Sequence, residues 1–277
     1  MRTTDRTKRI TAACLLVMLV FNLVPAAFSQ EAEWVYPLEA NLLENKNGNL
    51  SLVSQSAVLG ADFVPNNLVP VSLRAVSGPH ELRKEAAIAL TDLFKAAQDA
   101  GHELYVKSSY RSYSTQATMY YNRLDKYGKD DGVVAKPGTS DHQTGLGVDV
   151  LNREWSRREG MTSAFGETAE ARWMEANCAD FGFIIRYLPE KQEITKIIYE
   201  PWHLRYVGVD VARYMMENRL SLEEFTDEYT QAIAAYEQEG GNFLQLVARL
   251  NAPPPVVETG HTDEEGDGEV SFFGTMP

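Results

Sequence analysis

The stretch Ser140-Asp141-His142-Gln143-Thr144-Gly145-Leu146-Gly147-Val148-Asp149-Val150-Leu151 places an imidazole, a glycine turn and an apolar run in immediate succession. Leu146 to Leu151 predicts a short buried strand, and Asp149 is the only charged residue in it. A carboxylate buried in such a strand has to be paired, or it is neutralised. A hydrogen bond from a buried His142 is the plain explanation of the pair; joint ligation of a metal is the alternative, and it needs a further donor. His203, in Glu200-Pro201-Trp202-His203-Leu204-Arg205-Tyr206, is the candidate, because two His and one Asp are ligands that a catalytic zinc uses while keeping a fourth position for water.

Outward from this stretch, apolar residues from Glu81 to Ala100 recur at spacings of three and four and stop at Gly101, which predicts an amphipathic helix. Glu103 to Ser109 reads as a strand and Ser114 to Tyr127 as a helix closed by Gly128, so Tyr110 to Tyr113 fall on the connection. Downstream, a helix over Glu167 to Phe181 precedes two expected strands, Phe183 to Leu188 and Ile194 to Tyr199, with Pro189 to Gln192 as a hairpin loop. Helices over Val209 to Asn218 and Leu222 to Gln238 follow, the second announced by the capping pair Ser221 and Glu224. Residues 31 to 76 read as loops and short extended pieces packed across the main domain. Strands and helices in runs, without strict alternation, predict an α+β fold with a mainly antiparallel sheet flanked by helices.

The 277 residues carry 26 Lys+Arg and 39 Asp+Glu, a formal charge of −13. Residues 1–29 read as a secretory signal: Arg2, Arg6, Lys8 and Arg9 precede an apolar run from Ile10 to Val24, then small residues. A membrane anchor is the competing reading, disfavoured by a run shorter than the roughly 20 residues a span needs. Residues 251–277 hold Pro253-Pro254-Pro255 and six acids without Lys or Arg, the pattern of a solvated tail. Removing the net +3 of the signal and the −6 of the tail leaves the body at −10, against a nucleic-acid partner. Apart from the signal, no integral membrane segment is expected. Cys14 and Cys178 are too few for a disulfide framework or a thiolate zinc site; once the signal is removed, Cys178 is left alone, expected as a buried helix residue. Ser-x-x-Lys, G-x-x-x-x-G-K-[ST], G-x-S-x-G and H-E-x-x-H are all absent.

Three separated segments, in order, resemble one family. Ser108-Ser109-Tyr110-Arg111-Ser112-Tyr113-Ser114-Thr115-Gln116 is similar to its S-x-Y-R-S-Y-x-x-Q segment. Pro137 to Asp149 resembles its approach to S-x-H-x-x-G-x-A-x-D, and Glu200 to His203 its E-x-W-H. The family is that of the VanY/LdcB-type metallo-carboxypeptidases of the bacterial cell wall, related in fold to D-Ala-D-Ala dipeptidases and to hedgehog-like domains. The resemblance runs from about Phe63 to Tyr214, with Gly147 standing where the family usually has Ala.

The resemblance implies that His142, Asp149 and His203 bind zinc at the sheet and that Glu200 is the general base. A base is independently required there, because a water losing its proton needs an acceptor within hydrogen-bond reach. Arg111 is expected at the substrate's peptide oxygen or terminal carboxylate, with Ser140 and Gln116 as further substrate-binding groups and Trp202 and Tyr206 as packing. The expected organisation is a signal peptide (1–29), a polar extension (30–62), the carboxypeptidase domain (63–250) and the acidic tail (251–277). The expected function is an exported D-alanyl-D-alanine carboxypeptidase acting on peptidoglycan stem peptides at the extracellular or cell-wall side, anchored if the signal is retained. The alternatives are L,D-carboxypeptidase action on tetrapeptide stems and a non-catalytic wall-binding protein.

Overall fold

The computed structural model describes residues 32–253, so the signal expected at 1–29 and nearly all of the acidic tail lie outside the described residues. In chain order the elements are β1 (Leu68–Pro70), β2 (Glu81–Arg83), α1 (Lys84–Asp99), β3 (Leu104–Ser108), α2 (Tyr113–Tyr127), β4 (Gly147–Asn152), α3 (Ala169–Asn177), β5 (Phe183–Ile185), α4 (Gln192–Thr195), β6 (His203–Tyr206), α5 (Val209–Glu217), α6 (Leu222–Gln238) and α7 (Phe243–Leu250), with short 3-10 turns between several of them. The main sheet has the order β3-β4-β6-β5 with every pair antiparallel, and β1 and β2 form a separate two-stranded sheet. The fold is α+β, as the pattern of elements indicates.

One apolar cluster joins α1 to the sheet. Ala86, Leu90, Leu93, Phe94 and Ala97 of α1 pack with Leu104 and Val106 of β3 and with Val148 and Val150 of β4. Each fully buried Leu or Phe contributes about 1.5–3 kcal/mol relative to an exposed one. Because strand side chains alternate, putting Val148 and Val150 into this core turns Asp149 to the other face. A second cluster joins Leu38, Ala40, Leu43 and Leu50 of the N-terminal segment to Val211, Met215, Leu222, Phe225 and Val247 of the C-terminal helices.

Helix ends follow local chemistry. The Ser112 hydroxyl caps α2 by accepting from the Thr115 N–H at 3.2 Å, and Gly128 closes it at φ 72°. Ser221 and Glu224 form both halves of the capping box on α6. Two readings of the sequence need correction. Glu81–Arg83, expected as helix, pair with Leu68–Pro70 as strand, and the helix begins at Lys84. Ile194 to Tyr199 is not a strand: Pro189 opens a helical turn that runs into α4, and Lys196 closes it at φ 60°. The partner of β5 is instead β6, in register Ile184↔Arg205. Helix α7 had no counterpart among the expected elements.

Candidate active site

The sheet register brings the site together. Asp149 on β4 is the cross-strand partner of His203 on β6 and of Ser108 on β3. Directly opposed residues place their Cβ atoms about 4.5–5.5 Å apart on one face, so one row across three strands carries a hydroxyl, a carboxylate and an imidazole. His142 arrives from the 3-10 turn Asp141–Thr144, which ends at Gly145 with φ 70°. A Cβ on Gly145 would lie 2.8 Å from Leu68 Cδ2, so this turn needs glycine for both conformation and space. At Gly147 a Cβ would come within 3.0 Å of Asp141, so glycine lets the turn carrying His142 lie tightly on the strand carrying Asp149.

His142 Nε2 faces Asp149 Oδ2 at 3.3 Å, and His203 Nδ1 faces Asp149 Oδ1 at 3.1 Å. One ligand atom from each residue can be chosen so that all three lie within 4.8 Å of one another, and all three side chains are buried. Ser109 O lies 2.7 Å from His142 Nδ1, and a carbonyl can only accept; the neutral ring therefore presents its Nε2 lone pair to the cluster. Burial, and next the Arg111 charge, lower the His142 pKa against the opposing pull of Asp149, which favours the neutral ring that ligation requires. Asp149 is held well below the usual carboxylate range: burial opposes ionisation, but His142 and His203 outweigh it. Its Oδ1 and His203 Nε2 are buried without a well-formed hydrogen bond among the described residues. This set of two imidazoles and one carboxylate fits a divalent cation with nitrogen and oxygen ligands.

Glu200 Oε2 lies 3.5 Å from His203 Nδ1. Burial and then the Asp149 charge raise its pKa well above the ordinary carboxylate value, with Arg111 opposing. A buried carboxyl tuned upward beside such a cluster can both accept and return a proton near neutral pH. Arg111 lies in the loop after β3, and its backbone N–H donates to His142 O at 3.1 Å. Its Nη1 donates to Gln116 Oε1 at 2.9 Å, while Gln116 Nε2 donates to Ala135 O at 2.6 Å. Both ends of the Gln116 amide are thus engaged within the protein, which makes it a clamp on Arg111. Ser140, Arg111, Gln116, His142, Asp149, Glu200 and His203 all line one cavity of about 490 Å³. Trp202 lines it too, its buried indole N–H without a partner among the described residues, whereas Tyr206 packs on Phe183 with ring centroids 5.4 Å apart.

The sequence reading passed over Asp141, Arg186, Arg205 and Tyr187. Asp141 is fully buried, accepts from Arg186 Nε at 2.9 Å and pairs with Arg205 Nη1. Arg186 also holds Glu223 through both terminal nitrogens, at 2.8 and 2.7 Å. Despite burial, Arg205 and Arg186 keep the Asp141 carboxyl below its ordinary value. This network braces the turn that carries His142 and lies under His203, whose Nε2 is 3.9 Å from Asp141 Oδ2. Tyr187 lines the cavity, its ring centroid 5.0 Å from that of His203. The one available signal was Arg186 within the apolar run Phe183 to Leu188, the kind of anomaly that singled out Asp149. Cys178 is buried and forms no disulfide among the described residues.

A buried cluster of two histidines and an aspartate, with an upward-tuned glutamate and an arginine at one cavity, fits the design of a metal-dependent hydrolase centre on an antiparallel sheet. Residues 79–209 match VanY, D-alanyl-D-alanine carboxypeptidase, and the chain belongs to this family of peptide hydrolases. The Bacillus subtilis protein YodJ is 37% identical over 217 residues, covering 75% of this chain and 79% of its own length. Enterococcus gallinarum VanXYC, a bifunctional D-Ala-D-Ala dipeptidase and carboxypeptidase, is 32% identical over 197 residues, covering 68% of this chain and 98% of its own. Among solved structures, the LdcB LD-carboxypeptidase is similar with a TM-score of 0.61 and 39% identity, over 66% of this chain and 88% of that one. The D,D-pentapeptidase VanY from the VanB-type vancomycin-resistance cassette, as a mutant in complex with Zn(II), gives 0.53 and 31%, over 64% and 98%.

Proposed function

We propose that this protein is an exported, zinc-dependent carboxypeptidase that removes the terminal D-alanine from peptidoglycan stem peptides, with D,D-cleavage of pentapeptide stems as the primary activity. The observation that carries the reading is the convergence of His142, Asp149, His203, Glu200 and Arg111 on one cavity. Zinc held by the first three would act as a Lewis acid and lower the pKa of a water. Glu200 takes a proton from the attacking water on a carboxylate oxygen and returns it to the departing amine nitrogen. Arg111, fixed by Gln116, steadies the negative charge that grows on the carbonyl oxygen. Burial of this centre strengthens each of these interactions by excluding water.

Export rests on the basic and apolar pattern of residues 1–29, which supports action on the wall side of the membrane. L,D-cleavage of tetrapeptide stems is the second reading, supported by the higher identity and TM-score to LdcB than to VanY. The test is mass spectrometry of products from residues 30–277 with zinc, incubated with pentapeptide and tetrapeptide stems in parallel and with Glu200→Gln as control. Loss of one alanine from the pentapeptide, absent in the control, supports the D,D reading, and loss from the tetrapeptide alone replaces it with the L,D reading. Cleavage of neither stem by zinc-loaded protein overturns both.

A further inference from the structure

Lys107 stands at a break in the sheet. Val106 pairs with Val150 and Ser108 with Asp149, so β3 carries one extra residue where β4 carries none, and that residue is Lys107. Regular alternation would send neighbouring side chains to opposite faces, yet Lys107 and Ser108 both line the cavity. Bulges re-aim a side chain in this way beside active sites.

The other cations at this cavity are occupied. Arg123 is held by Asp131 through two bonds, at 2.8 and 2.7 Å. Arg111 is clamped by Gln116, and its electrostatic neighbours are Asp149 and Glu200, so it serves the bond-breaking centre. Lys107 is half-buried, and among the described residues no carboxylate lies within 4.0 Å of its ammonium, although Glu159 lines the same cavity. An ammonium at the cavity wall without a carboxylate partner among the described residues is available to pair with an anionic group of a bound molecule. Its flexible stem spans about one to two extended residues, at roughly 3.3–3.6 Å each.

We infer that Lys107 is a specificity-determining residue whose ammonium pairs with a free carboxylate carried by the substrate on the acyl side of the scissile bond. The inference rests on the carboxypeptidase reading. In that reaction the leaving side is a single residue, so nearly all of a stem peptide lies on the acyl side of the bond. The remaining length of the cavity therefore receives the acyl side, and a stem peptide with a free acid there gains a charge-assisted hydrogen bond that its amide loses.

The test compares kcat and KM for stem peptides that differ only in whether an acyl-side carboxylate is free or amidated, with arms placing that group on different acyl residues. Wild type is expected to prefer the free acid by about tenfold or more in at least one arm. Lys107→Met keeps the apolar stem and should erase that preference, mainly by raising KM for the acid peptide, while Lys107→Arg should restore it. If wild type cleaves both forms equally well in every arm, the inference is overturned and the carboxypeptidase reading stands. If Lys107→Met, with an unchanged thermal transition, loses the same factor on acid and amide, Lys107 serves the terminal carboxylate or the fold, and the inference is again overturned. If wild type cleaves no stem at all, the functional reading falls and this inference falls with it.

Discussion

Replacing Asp141 by Asn is the sharpest perturbation of the brace behind the site. Asp141 and the guanidiniums of Arg186 and Arg205 are at most 1% exposed, and the four charged groups of the network, with Glu223, sum to zero. Asn keeps one acceptor but leaves two buried guanidiniums facing a single carboxylate. Arg186 retains its two bonds to Glu223, whereas Arg205 is left with the carbonyls of Asn49, Ser51 and Tyr206. Stranding one charge of a buried pair costs about 3–5 kcal/mol, and the retained acceptor places Asp141→Asn near the lower end. For a domain of this size about 3 kcal/mol corresponds to a fall in Tm of roughly 6–12 °C. Guanidinium unfolding followed by tryptophan fluorescence, with and without added zinc, measures it. Asp141→Leu combined with Arg205→Met removes both members of the pair and should recover a large part of the loss, so the double-mutant cycle isolates the coupling. An Asp141→Asn protein within 1 kcal/mol of wild type would refute the reasoning, because the network would then be replaceable by neutral hydrogen bonds.

Further outcomes follow from the same geometry. Glu200→Gln should lose about 10²–10⁴-fold in kcat while binding metal with wild-type stoichiometry, as metal analysis beside initial rates would show. Gly145→Ala should lower Tm by several degrees in a melting scan, since its Cβ would meet Leu68 Cδ2 at 2.8 Å in a left-handed backbone. Burial raises the Cys178 thiol to about 12 from 9.0, so the neutral thiol favours folding below pH 9 and that contribution is lost as pH rises toward 12. Relative to Cys178→Ala, wild type should lose about 1.4 kcal/mol per pH unit across that window in chemical unfolding. In a Cys14→Ser chain a thiol reagent at pH 8 should likewise label Cys178 only on unfolding.

The candidate metal cluster was legible because its residues are locally distinctive. Asp149 is a single charge in an apolar strand, and His142 and His203 sit in short segments whose residue types constrain one another. The supporting network was not legible, because Asp141 reads as an ordinary polar residue of a glycine-containing turn until β5 and β6 deliver Arg186 and Arg205 to it. Strand β6 was hidden for a related reason: His203 and Arg205 alternate with Leu204 and Tyr206, and both polar side chains are buried. The apolar run Ile194 to Tyr199 looked the better strand, yet Pro189 and the left-handed Lys196 commit its start to a helical turn. Three-residue strands such as β1 and β2 carry too little periodicity to be read, since they exist through their pairing with each other.

The most direct test of the central claim is metal dependence read together with ligand identity. Chelated protein should be inactive on stem peptides, regain full rate with one equivalent of zinc per chain, and lose both zinc and rate in His142→Ala, Asp149→Ala and His203→Ala. Full activity after exhaustive chelation, or a one-to-one zinc complex that persists in all three variants, would contradict the account.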